Sequence, residues 1–207
     1  MKDKLDFRAP WLRWLLISLA ATALLVGSFW FDAVIEQWVV AHQTKAGTYF
    51  MRWVSILGDW EGHVLVALAG MAVAYFKGNK TWVRICLALI IACAVGGAAA
   101  RVGKIALGRA RPSAHESHRW SGPKLTSKFH SFPSGHVTAS VAFFTTLFLV
   151  RRKIAAPLLI IPAVIGCSRI YLMAHFFSDV IGGVVIGAAC GLLVAYTFLR
   201  KELATTL

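Results

Sequence analysis

His175 and Asp179 stand four residues apart in the stretch SRIYLMAHFFSDVIGG, with Ser168 and Arg169 ahead of them and apolar side chains nearly everywhere between. On a helix this spacing puts the carboxylate one turn from the imidazole, where it can hold the proton on one ring nitrogen and raise the nucleophilicity of the other. Such a pair suits nucleophilic catalysis. A polar contact between helices is the plainer alternative, weakened by the cost of ionisable groups at membrane depth. Arg169 adds a bidentate donor matched to phosphate oxygens.

Two further clusters could meet this pair. In FHSFPSGHVTAS, Pro133, Ser134 and Gly135 lead into an apolar run. Gly135 allows a tight turn and a close approach to a ligand, Ser134 is a good N-cap, and the free N–H groups of a helix start attract anions. His136 falls in the first turn, where it could meet a bound anion or be incidental to a structural cap. In KIALGRARP, Lys104 and Arg111 are seven apart. On one continuous helix both would project from the same face, with Pro112 stopping the helix. Alone, a juxtamembrane Lys–Arg pair equally fits lipid headgroups or solvent.

The elements that must position these residues are transmembrane. Of the 207 residues 58% are hydrophobic and only 15% charged, well below the roughly 25% of soluble domains. Apolar runs at about 11–31, 62–76, 83–100, 137–150, 154–172 and 180–199 approach the ~20 residues that cross hydrocarbon. The expectation is an all-α polytopic protein, a six-transmembrane-helix bundle forming a single domain over 1–207. The runs 62–76 and 137–150 are short and need neighbouring residues to complete a crossing. The first run lacks a small-residue cleavage site, so it is read as a span and not a removed signal.

The net charge of +13 is partly topological. Lys2, Lys4 and Arg8, then Lys77, Lys80 and Arg84, then Arg151, Arg152 and Lys153, then Arg200 and Lys201 fall on one side of six spans. The positive-inside rule makes that side cytoplasmic, with both termini. The loop from Arg101 to Lys128 then lies outside, yet it carries seven cations against Glu116 alone. An anionic ligand at the outer membrane face explains this better than nucleic acid, because the segment is on the trans side and lacks interleaved aromatics for base stacking. Segment 32–60, with Trp30, Trp38, Trp53 and Trp60 in its neighbourhood, reads as interfacial anchoring with a short surface helix, or as a lid over a lipid site. Cys86, Cys93, Cys167 and Cys190 fall inside spans and read as packing residues. His115 and His118 lack a third ligand for a metal, His42 and His63 read as interfacial, and His130 is a candidate contact for a second phosphate.

Taken together, K-x6-RP, PSGH and SR-x5-H-x3-D, met by Lys104, Arg111, Pro112, Pro133–His136, Ser168, Arg169, His175 and Asp179, resemble the tripartite signature of the type 2 phosphatidic acid phosphatase (PAP2) superfamily within 104–179. The resemblance implies a lipid phosphate or diphosphate phosphatase of the cytoplasmic (inner) membrane, with its active site on the outer side. His175 would be the nucleophile that forms a phosphohistidine, Asp179 its orienting partner and His136 the general acid. Lys104, Arg111, Ser134, Gly135 and Arg169 would bind the phosphoryl oxygens, with no metal and no cofactor. Implied substrates are undecaprenyl diphosphate, phosphatidic acid, phosphatidylglycerol phosphate or the 1-phosphate of lipid A. The surplus cations Arg109, Arg119, Lys124 and Lys128 would serve a second phosphate or neighbouring anionic lipids. A phosphotransferase using a lipid acceptor is the alternative. A transporter or scaffold on the same fold would not require the whole His–Asp–His set, and apolar spans argue against a soluble haloperoxidase.

Overall fold

The computed structural model describes residues 10–114 and 116–204, so Lys2, Lys4, Arg8 and His115 lie outside the described residues. The described chain is helical, running through α1 (Pro10–His42), α2 (Lys45–Leu57), α3 (Trp60–Phe76), α4 (Lys80–Leu107), α5 (Gly135–Val150), α6 (Arg152–Leu158), α7 (Ile160–Tyr171), α8 (Phe177–Phe198) and α9 (Arg200–Ala204). Four stretches are long and apolar enough to cross a membrane: Trp11–His42, Lys80–Leu107, Arg152–Tyr171 and Phe177–Phe198. A fifth arises if α2 and α3, bent by 45° at their junction, count as one span. The sixth expected span corresponds to α5, which has 16 residues. Its length of about 24 Å falls short of the ~30 Å hydrocarbon core.

The largest departure from the sequence reading lies in segment 32–60, expected as an external connection. No Gly or Pro interrupts DAVIEQWVVAH, so α1 continues to His42 and Asp32 sits within the helix, 1% exposed. Thr44 caps α2 by accepting from the Gly47 N–H at 3.0 Å, and Asp59 caps α3 by accepting from Trp60 N–H at 2.8 Å. The turn between α1 and α2 is pinned to α7: Gln43 donates to the Tyr171 carbonyl and Thr44 N–H to the Tyr171 hydroxyl.

Close backbone packing centres on α5, which lies against α8 and α4. Gly183, Gly187 and Gly191 of α8 recur every fourth residue. A Cβ on them would stand 3.0 Å from the Ser134 carbonyl, 2.6 Å from that of Thr138 and 2.7 Å from that of Ala142. Small residues let helices approach this closely. Ala88, Ala92, Gly96 and Ala100 are buried at the same spacing along α4, and Gly96 faces Thr138 and Ala142. The N-terminus of α5 is thereby clamped between the ends of α4 and α8. Cys86, Cys93 and Cys190 pack in this interior as expected, whereas Cys167 is exposed on α7.

Candidate active site

His175 lies in the reversal between α7 and α8, one residue before the N-cap Phe176, and not on the helix with Asp179 as the spacing suggested. Its N–H and that of Ala174 both donate to the Arg169 carbonyl, at 3.3 and 3.1 Å. Met173 makes the reversal at φ 54°, a left-handed conformation uncommon for a non-glycine residue. The outcome still joins the expected pair, with His175 Nδ1 3.6 Å from Asp179 Oδ2 and both side chains buried. This is ion-pair reach and long for a hydrogen bond. Burial pulls the imidazole down to about 3, with Asp179 opposing and Lys104 and Arg169 adding to the fall. His175 is therefore neutral at pH 7, and Asp179 beside Nδ1 leaves Nε2 as the nitrogen free to attack.

Asp179 is held from every side. Oδ2 accepts from Ser131 Oγ at 2.5 Å and from Phe176 N–H at 2.8 Å, while Oδ1 accepts from Arg109 Nη1 at 2.5 Å. Arg109, expected as a spare cation for a second phosphate or a headgroup, is instead 1% exposed and held inside the protein through both Nη atoms, its Nε having no partner. Its Nη2 lies 2.6 Å from Asp32 Oδ2, and its guanidinium stacks within 4.4–5.1 Å of the Phe29, Trp120 and Phe176 rings. Arg119 pairs with Glu36 at 3.3 Å and Lys128 with Glu116, so two more of the surplus cations are neutralised by carboxylates. Lys124 is exposed.

The three expected phosphate-binding cations converge from different elements. Lys104 and Arg111 do not share a helix: α4 ends at Leu107, where Gly108 at φ 54° turns the chain, and Arg111 stands in the loop beyond. Arg111 N–H donates to the Lys128 carbonyl, and Lys104 Nζ donates to the His130 carbonyl at 2.8 Å. Arg169 on α7 donates to Ser55 Oγ at 2.5 Å. Lys104, Arg111 and Arg169 lie near enough to act on one another's charge. Burial draws Arg111 below its ordinary value, with Asp179 opposing. Arg111 Nε, Arg169 Nε and Ser134 Oγ are buried and have no protein partner. Buried polar atoms are almost always satisfied, so this set fits an anion with several acceptor oxygens.

Ser134 occupies the N-cap of α5, but its hydroxyl makes no capping bond and is free for a ligand. Its N–H is tied to the Asp179 carbonyl at 3.0 Å. Gly135 has an ordinary φ, so no backbone strain requires glycine there; a Cβ would sit 3.5 Å from Lys104 Cε, and its absence keeps space above that cation. Ser168 is fully buried and donates to the Ile165 carbonyl, away from the site.

His136 brings in a residue that the motifs did not flag: its Nε2 is 3.3 Å from Asp59 Oδ2 at the α2–α3 junction. Asp32, Ser55 and Asp59 all come from the segment read as anchoring. The one available signal was the presence of two carboxylates, Asp32 and Asp59, next to apolar runs. Other histidines part from expectation as well. His130 is 3% exposed with Nε2 3.0 Å from the Lys124 carbonyl, and so braces the loop. His63 is buried between the Asp59 carbonyl and Ser140 Oγ. His42 and His118 are exposed. Among the described residues no three His, Cys, Asp or Glu side chains gather as metal ligands would.

Residues 81–202 match the PAP2 superfamily. Over 107 residues, half of the chain, the sequence is 37% identical to a lipid A 1-phosphatase of Rhizobium johnstonii, of which the match covers 44%. Over 63 residues, 30% of the chain, it is 38% identical to an undecaprenyl-diphosphatase of Bacillus subtilis, of which the match covers 33%. The chain thus spans less than half the length of these curated relatives. The fold is similar to the crystal structure of a transmembrane PAP2 type phosphatidylglycerolphosphate phosphatase from Bacillus subtilis, with a TM-score of 0.67 and 25% identity over 91% of this chain and 94% of that one. Since the matched residues run from the start of α4 through every motif to the last helix, the chain belongs to the PAP2 superfamily.

Proposed function

We propose that this protein is an integral membrane phosphatase that hydrolyses a lipid phosphomonoester or diphosphate through a phosphohistidine at His175. The observation that carries the proposal is the convergence of a neutral, carboxylate-backed imidazole with three cations and an uncapped helix start at one end of the bundle. His175 Nε2 attacks phosphorus as the bond to the lipid oxygen breaks, and His136 protonates that oxygen. His136 then takes a proton from water, whose oxygen attacks the phosphohistidine and releases inorganic phosphate. Phosphoryl transfer is mostly positioning and charge stabilisation. Lys104, Arg111, Arg169 and the helix-start N–H groups supply these in a poorly solvated site, so the reaction is expected to run without a metal.

The placement of charge supports the orientation. Lys77, Lys80, Arg84, Arg151, Arg152, Arg200 and Lys201 sit at helix ends opposite the site. In this reading that end is cytoplasmic, both termini share it, the chain crosses the cytoplasmic membrane six times, and the site opens outward. The candidate substrates are phosphatidylglycerol phosphate, phosphatidic acid, undecaprenyl diphosphate and lipid A.

The deciding experiment is phosphate release by the detergent-purified protein in chelator from each of these four lipids, with His175→Ala alongside. Release from at least one, abolished in the variant, is expected. Equal release by the variant, or restoration only by added magnesium, would overturn the assignment.

A further inference from the structure

Asp32 is a carboxylate on a membrane-spanning helix, outside the residues matched to the family, and it is 1% exposed. An ionisable group at that depth is costly unless paired, and every contact it makes leads to the catalytic pair. Oδ2 is 2.6 Å from Arg109 Nη2 and accepts from Ser178 Oγ at 2.7 Å; Oδ1 accepts from Ser178 N–H at 2.8 Å. Arg109 Nη1 in turn donates to Ser178 Oγ at 2.7 Å and meets Asp179 Oδ1 at 2.5 Å. One guanidinium is therefore shared by two buried carboxylates.

A lone Arg109–Asp179 pair would be close to neutral and would do little for the adjoining imidazole. The triplet Asp32–Arg109–Asp179 carries one net negative charge, which in a poorly solvated site acts strongly on a neighbour. His175 needs it, because the charges acting on it besides Asp179 are cationic, Lys104 from α4 and Arg169 from α7, while Arg111 from the loop acts on Lys104 and Asp179, and His136 from α5 stands beside Asp59. We propose that Asp32 is a positioning residue for the reaction, absorbing the charge of Arg109 so that Asp179 keeps a negative charge to hold the Nδ1 proton of His175. This rests on the phosphohistidine reading above for its catalytic meaning, while its electrostatic content concerns the resting protein. A carboxylate on α1 thus makes the first helix part of the reaction centre.

Asp32→Asn keeps the shape and the acceptor for Ser178 N–H but removes the charge. Asp32→Asn/Arg109→Gln removes both charges and restores one net negative charge on Asp179. Phosphate release from phosphatidylglycerol phosphate and undecaprenyl diphosphate should show kcat lowered about ten- to hundredfold in the single variant with KM changed less than about twofold, and substantially regained in the double. A merely structural role predicts the opposite, a double variant at least as impaired as the single. Nitrogen-15 NMR of histidine-labelled protein in detergent at pH 7, with His175 assigned by its loss in His175→Gln, reads the imidazole without turnover. The Nδ1–H tautomer is expected in wild type and double variant, with a shift toward Nε2–H in Asp32→Asn. The same tautomer in all three would overturn the proposal. Absence of phosphate release by the wild type would count against the phosphatase reading, and the tautomer comparison would still decide this one. If the single variant does not accumulate in the membrane, the double decides alone, since the proposal requires it to keep the wild-type tautomer.

Discussion

The motif-bearing stretch, 104–179, and the amino-terminal stretch, 32–59, build one site by different means. The first supplies the groups that would touch substrate: Lys104, Arg111, Ser134, His136, Arg169 and His175. The second supplies Asp32, Ser55 and Asp59: Ser55 and Asp59 contact Arg169 and His136 directly, and Asp32 holds Arg109, which in turn holds Asp179. Reacting groups must be of a few residue types at nearly fixed spacing, so they leave a signature. A supporting carboxylate or hydroxyl needs only to arrive from some neighbouring helix, and the address from which it arrives is set by packing.

Substitutions separate the two stretches. The largest effect belongs to His175→Ala, expected on the phosphohistidine reading to lower phosphate release at least about 10⁴-fold. Measurable burst release of lipid alcohol by that variant would place the nucleophile elsewhere. Next comes Arg169→Lys, which keeps a cation but loses the planar fork, with an expected fall in kcat of about 10²-fold. Its supporting partner tests the other region: Ser55→Ala should cost less than about tenfold, and an equal cost would make Ser55 as important to the reaction as the cation it contacts.

Asp59→Asn is expected to lower kcat about tenfold with little change in KM, since it weakens a charge-assisted contact to His136 without touching phosphate. A loss as deep as that of His136→Gln would make Asp59 a full participant. For the scaffold, Gly187→Val should lower the melting temperature in detergent by the equivalent of about 1–3 kcal/mol, because its Cβ would press on the Thr138 carbonyl. Gly97→Ala, with nothing within 4 Å of the new Cβ, should be neutral.

A separate effect is on stability against pH. The His175 imidazole is held at about 3 by burial, below its ordinary 6.5. The unfolded chain then binds the extra proton first as pH falls, so stability is retained above about 6.5 and is lost progressively down toward 3. His175→Gln should flatten this decline in acid melting curves, and an unchanged slope would mean that other groups dominate it.

Some of this was legible in the residues themselves. Apolar runs announced helices because a membrane leaves the backbone few other ways to satisfy its hydrogen bonds, and K-x6-RP, PSGH and the His–Asp pair pointed to the PAP2 superfamily. Other inferences from spacing failed for local reasons. Gly108 ends α4 before Arg111, so two cations thought to share a helix face meet across a turn. The reversal at Met173 sets His175 ahead of α8 and not within it. His63 and His130, read as interfacial and as a phosphate contact, are buried structural residues.

The residue order fixed the kinds of groups, the apolar runs that become helices and the glycine spacing that lets α8 approach α5. Only the tertiary structure decided that Arg109 faces inward between two carboxylates, and that α1 and the α2–α3 junction border the site. The physical reason is that helix periodicity acts over a few residues along one chain. Which distant carboxylate neutralises a buried cation depends on which helices the close-packed small residues bring side by side.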